Sequence, residues 1–218
     1  MPIPAINDMG RNRVADTLLS AAIDTGSASH PYLSASELRD GPDAIRNLAD
    51  AVHHLCLLHG RMPGLVDLAV ERTPIEATAW MISAAANFTE ERALLTRLVV
   101  AAPPVPSTPG QAECEATMLA QQHAIEMLAK SERIGCAIGA AAALLLDWQA
   151  VRTVLDLAAE RLGLDPTPCR LPDAGAIESF LIRNGTGLER AITFGAQQMF
   201  VQQRGLWDLL ECRAQARR

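Results

Sequence analysis

Thirteen consecutive residues, Ile134 to Leu146 (IGCAIGAAAALLL), carry no charge and no strong hydrogen-bonding side chain. No other stretch limits the fold as tightly. A membrane span needs about 20 such residues, so the run is too short to cross a bilayer. Rich in Ala and Leu and poor in β-branched residues, it is expected to be helical. A helix that is apolar on every side has to be surrounded by other elements. Gly135 and Gly139 lie four apart and Ala140 to Ala143 extend the small surface, so neighbouring backbones can come close. The run reads as the central post of a helical bundle.

Composition agrees. Hydrophobic residues make up 49% and aromatics 4%, a balance suited to Leu/Ala helices rather than strands. The expected fold is one all-α domain over residues 1–218: an antiparallel bundle of four long helices with one or two flanking helices. Residues 1–41 are expected to be partly irregular, and residues 102–111 to form a proline-rich linker within the domain. A net charge of −6 argues against a nucleic-acid surface. The cluster Arg213, Arg217 and Arg218 reads as a solvated helix end. Five cysteines without CxxC or Cys/His spacing suggest neither a zinc site nor a disulfide framework. The opening MPIPAINDMGRNR has no apolar core of a secretory signal. The expectation is a cytoplasmic protein with no membrane and no nucleic-acid partner.

In chain order, Val14 to Ile23 forms a short helix. Thr25 to Asp40 reads as an extended connection, with Ser34-x-x-Glu37 a capping box for one helical turn. A long helix then starts near Pro42, with the stripe Ile45, Leu48, Val52, Leu55, His59, Met62, Val66 and Ala69. Pro63, between Gly60 and Gly64, should kink or break it. Thr73-Pro74-Ile75-Glu76 caps a second long helix that runs to Ala102 on the stripe Ala77, Met81, Ala84, Phe88, Glu91, Leu95 and Leu98. A third helix covers Ala112 to Lys130, and the post follows a break near Ser131 or continues from it. Asp147 should face water or Arg152, Trp148 should plug the bundle, and Gly163 should end the helix. After the irregular GLDPTPCRLPD, a last segment starts at Ala174, breaks at Asn184-Gly185 and restarts at the capping box Thr186-Gly-Leu-Glu189. LVDLAVER (Leu65–Arg72) resembles VLDLAAER (Val154–Arg161) at an offset of 89, which raises a duplicated helical hairpin.

Candidate chemistry is sparse. His59 lies fourteen residues before the corner at Thr73 and Asn87 fourteen after it. In an antiparallel pair both would sit about 21 Å from the corner, facing each other, with Glu91 one turn beyond. These three are the candidate ligand-binding residues, weighed against the plainer reading that they satisfy one another as buried polar groups must. Ferritin-like di-metal bundles need Glu-x-x-His on two helices. This chain offers only Asp50-x-x-His53 and the reversed His123-x-x-Glu126, so the similarity is one of helix count and length. No metal site, catalytic residue or cofactor is expected. Asn184-Gly-Thr-Gly187 lacks the strand and Lys of a phosphate loop. The favoured reading is a non-catalytic scaffold or interaction protein that forms a homodimer. The alternative is a ferritin-like-looking bundle with a small-molecule or metal site near His59, Asn87 and Glu91.

Overall fold

A computed structural model describes residues 6–165 and 167–218. Residues 1–5 of the opening stretch and Pro166 of the GLDPTPCRLPD segment lie outside them. Among the described residues there are ten α-helices, one 3₁₀ turn and no strand, as the all-α reading expects. In order they are α1 (Ile6–Thr25), the 3₁₀ turn Ser27–Ser29, α2 (Pro31–Ser34), α3 (Ser36–Arg39), α4 (Ala44–His59) and α5 (Leu65–Glu71). There follow α6 (Ile75–Ala101), α7 (Gln111–Ala129), α8 (Cys136–Arg161), α9 (Ala174–Asn184) and α10 (Glu189–Ala216).

The post is α8. Gly135, with φ at 98°, takes a conformation open to glycine and starts the helix after the break. Gly163, with φ at 70°, ends it: its N–H donates to Glu160 O and that of Leu164 to Ala159 O, a Schellman closure. Every residue from Cys136 to Leu145 is buried, although Ile134 is left exposed before the helix begins. α8 touches α1, α4, α5, α6, α7, α9 and α10. Among the described residues it is the one helix long and apolar enough to cross a membrane, yet 78% of that apolar window is buried inside the protein.

The closest neighbour of α8 is α10. A methyl on Gly139 would run into the Ile192 carbonyl, and one on Gly195 into that of Cys136, so the two backbones touch. The pairs Gly139/Ile192 and Asp147/Gln203 advance together along both helices. α8 and α10 therefore run in the same direction, unlike the antiparallel expectation. The return through residues 162–173 and α9 is long enough to bring the chain back beside the start of α8.

Local signals were followed unevenly. Pro63 breaks the first long helix outright: Met62–Pro63 is cis, and α5 restarts with Gly64 N–H bonded to Asp67 Oδ2 at 2.7 Å. Of the first stripe, Met62 is swung out by that break and Ile45 is exposed because Ala44 takes the inward place, while the other positions are buried. All seven positions of the second stripe are buried. The corner before α6 is present, but Thr73 does not cap it. Pro74 occupies the N-cap, one residue later than expected, and Thr73 Oγ1 donates back to Ala69 O at 2.7 Å. Ser34 likewise bonds backwards, to Pro31 O, and Ala35 is the cap of α3, so residues 25–40 are successive helical turns rather than an extended link. α10 begins at Glu189, after a turn closed by Leu188 N–H to Gly185 O, and Glu189 reaches back to Gly187 N–H. α1 is longer than expected, at 20 residues. The two similar octapeptides fall on unlike elements, the short α5 and the last turns of the unbroken 26-residue α8. Leu/Ala-rich helices resemble each other without sharing a structural role.

Candidate functional site

A chain of buried polar groups starts where α1 gives way to the 3₁₀ turn. Gly26 leaves no room for a side chain against Ala22 O and Asp147 Oδ1. This lets Ser27 approach the post. Asp147 is buried, not turned to water or to Arg152. It accepts Ser27 N–H at 2.6 Å, the Ser27 hydroxyl, and Gln203 Nε2–H at 3.1 Å. Trp207 Nε1–H donates to Ser27 Oγ at 2.7 Å, so the hydroxyl hydrogen is left for Asp147. Burial pushes the Asp147 carboxyl above its ordinary range, and the three donors pull the other way.

These bonds fix what lies downstream. With its amide nitrogen committed to Asp147, Gln203 presents Oε1 to His59 Nε2 at 2.8 Å. An amide oxygen only accepts, so Nε2 carries the imidazole hydrogen and Nδ1 is a bare acceptor. Nδ1 has no hydrogen-bond partner among the described residues. Burial lowers the His59 pKa to about 4; the bond to Gln203 opposes that shift and the Arg92 charge adds to it.

His59 stands edge-on to Trp148, ring centres 5.4 Å apart, and Phe88 packs on the same indole at 4.8 Å. Trp148 Nε1–H donates to Glu91 Oε2 at 3.0 Å, and Arg152 Nη1 donates to Glu91 Oε1 at 2.7 Å. Arg152 also holds Asp156 and the Thr167 carbonyl, tying α6, α8 and the following loop together. The structure thus brings His59 and Glu91 to the same tryptophan without direct contact, and it leaves Asn87 half-buried with no bond to either. His59 from α4 and Phe88 from α6 pack on the same Trp148 ring. Asn87 is one residue, about 100° of helix rotation, off the inward direction.

Beside His59, the 60–64 break, α5, α6 and α7 enclose a pocket of about 190 Å³. Leu65, Leu68, Phe88 and Leu144 give apolar wall; Arg61, Glu126 and Lys130 stand at the exposed rim. Gln122 and Arg92 also line the pocket, and Arg92 is only 5% exposed. Its Nη2 and Nη1 donate to Asp67 at 2.5 and 3.3 Å, and the guanidinium lies over the Phe88 ring at 4.9 Å. Its Nε–H is buried without a partner.

A second cluster corrects another expectation. Arg213 and Arg217 are not a solvated end: the side chains of both are buried and both donate to Asp50, which is fully buried. Arg213 also holds Pro106 O and Arg217 holds Thr108 Oγ1, so the proline-rich linker is pinned between α4 and α10. Burial works to raise the Asp50 carboxyl, but the hydrogen bonds and charges of His54 and Arg213 win and hold it well below the usual range.

Sequence reasoning missed Gln203, Asp147, Arg92 and Ser27. Three of them had a signal. Gln203 interrupts the apolar stripe Met199, Phe200, Leu206, Trp207, Leu210 as His59 interrupts its own. Asp147 and Arg92 sit three and four residues past Leu144 and Phe88 on inward faces. Ser27 had none.

The profile described as "Family of unknown function (DUF6975)" matches residues 22–218. The chain belongs to this family. The matched span holds Ser27, His59, Arg92, Asp147 and Gln203, so the network and the pocket both lie within the DUF6975 region. No curated protein and no solved structure matches the chain.

Proposed function

We propose that this DUF6975 protein is a non-catalytic helical scaffold that holds a small molecule in the pocket beside His59 and Arg92. The observation that supports this is a pocket of about 190 Å³ whose wall combines apolar side chains with His59 and the buried Arg92, itself paired with Asp67. Of the expected site residues, His59 lines the pocket, Glu91 acts behind it by fixing Trp148, and Asn87 has no part. Catalysis is disfavoured because the lining holds no hydroxyl or thiol nucleophile beside His59. With a pKa of about 4, His59 is also a weak base near neutrality. The test is a thermal-shift screen of a mixed library of neutral, anionic and cationic fragments against the wild type and Leu68→Trp, which fills the pocket. Hits that raise the wild-type melting temperature and leave the variant unmoved support the reading; a screen with no such hits defeats it.

Self-association is a second reading. Met127, Ile134, Phe194 and Val201 are exposed, and Met127 and Phe194 line one groove between α7 and α10. Pairing of that face would give a homodimer. Light scattering should then report twice the chain mass, and Phe194→Glu should return it to the monomer. Five free cysteines suit a reducing cytoplasm.

A further inference from the structure

The outward side of α6 is unlike a solvent face. Ile82, Ala86, Glu90, Ala93, Arg97 and Val100 follow one another at steps of three and four, so they form one row along the helix. The row lies opposite the buried Met81, Phe88 and Leu95, and every member of it is exposed. Ile82 and Val100 are each more than half exposed. A helix face that meets only water is normally polar. We propose that this row is the contact of a two-fold homodimer, in which α6 packs antiparallel on α6 of a second copy of the chain.

The two charges choose the occupant. Glu90 and Arg97 are seven residues apart. They therefore share one edge of the row, within about 20° of rotation, and lie about 10 Å apart along the axis. That spacing is not one at which helix neighbours pair. Among the described residues neither makes an ion pair within its own chain, and Arg97 Nη2 donates only to Thr167 Oγ1 at 3.3 Å.

An isologous two-fold axis turns a surface onto itself. With the axis between residues 93 and 94, an antiparallel second α6 sets Glu90 of each copy level with Arg97 of the other, on the same edge. A parallel second copy would instead set Glu90 against Glu90. The same reversal places Val100 beside Ala86 of the other copy and brings the two Ala93 methyls to the axis. Large then faces small, and the helices can approach to the near end of the usual spacing of about 8–10 Å. The charged heads stay at the wet rim of the contact, so they set register and orientation more than strength.

The overlap runs from Ala86 to Ala101, a strip about 24 Å long and 10 Å wide. That is small beside a standard interface of about 800 Å² per partner, so the dimer is weak, with a Kd on the order of tens of micromolar. The contact is separate from the groove between α7 and α10, whose lining carries no charge to fix a register. Either face alone would give a dimer, and each has its own variant.

Sedimentation equilibrium on the full chain, loaded from about 1 to 300 μM to bracket that Kd, tests the assignment. The average mass of the wild type should rise from one chain towards two. Glu90→Arg and Arg97→Glu each oppose like charges at both ends of the contact, and each alone should weaken association by at least about tenfold. Both sites are exposed, so both variants keep the fold. Mixed in equal amounts, the two variants should associate within about threefold of the wild type, because every position 90 then faces the opposite charge at position 97. A wild type that stays at one chain mass throughout overturns the proposal. So does association unchanged in both variants, or a mixture no tighter than its parts. A dimer lost with Phe194→Glu but kept with Glu90→Arg assigns the contact to the α7–α10 groove and overturns the α6 face.

Discussion

His59 shows what one residue contributes and what it conceals. In the sequence it is a lone polar break in an apolar stripe, and in the fold it is buried against Trp148. Its partner was not legible, because Gln203 lies 144 residues away and neither side chain announces the other. The consequence is measurable. His59 stays neutral in the folded chain down to about pH 4, whereas an unfolded histidine takes its proton near 6.5. Between those values the unfolded chain binds more protons, so the His59 contribution to stability falls as pH drops through the window, by roughly 3 kcal/mol near pH 4. Asp147 has the opposite sign: its raised carboxyl keeps its proton in the folded state above 3.8, so its contribution falls as pH rises there. The comparison of wild type with His59→Leu isolates the first effect. The variant should lose the His59 part of the slope between pH 6.5 and 4 in denaturant titrations. Equal slopes would mean that His59 is protonated in the fold. At fixed neutral pH, Gln203→Leu should destabilise by roughly 2–4 kcal/mol, since it leaves both His59 Nε2–H and Asp147 Oδ2 short of a partner.

At the scale of elements, what was legible is what depends on local chemistry: the post, the proline break, the corner before α6 and the glycine stop of α8. Which residue caps each helix was less so. Thr73, Ser34 and the Thr186 box were each displaced by one or two residues, and a cap that starts one residue late loses its geometry altogether. The orientation of α10 beside α8 was also out of reach, because the glycines explain closeness and not direction. Closeness itself gives the next prediction. Gly139→Ala and Gly195→Ala each drive a methyl into the opposite backbone, so each should cost at least about 2 kcal/mol by forcing the helices apart. Gly163→Ala meets nothing within 4 Å and bears only the strain of a left-handed conformation at a φ of 70°, about 1 kcal/mol. Chemical denaturation of the three variants should rank them in that way. A smaller loss at 139 and 195 than at 163 would mean that the α8–α10 contact is loose.

At the scale of the molecule, Asp50 joins parts that are far apart in sequence: α4, the linker at residues 103–108 and the end of α10. The arginines were read as solvated because three of them near a chain end look alike whether or not a buried acid waits elsewhere. Asp50 itself stood out in the sequence only as part of the fragment Asp50-x-x-His53. Removing one side of such an arrangement is costly because the remaining charges stay buried. Asp50→Asn leaves Arg213 and Arg217 facing a neutral amide in a site where their side chains are 3% and 4% exposed. The expected loss is roughly 3–5 kcal/mol. Replacing all three together, as Asp50→Leu with Arg213→Met and Arg217→Met, removes the charges from both sides and should cost clearly less than the single change. The pH dependence has a definite sign. Because the folded Asp50 carboxyl is held below its ordinary value of 3.8, its stabilising contribution is complete above that value. It is lost as pH falls below it, where the unfolded chain binds the proton first. Acid denaturation followed by circular dichroism should therefore show a steep loss below pH 3.8 in the wild type and a shallower one in Asp50→Asn, measured from its lower starting stability. Parallel curves would show that Asp50 is not what ties the last helix down.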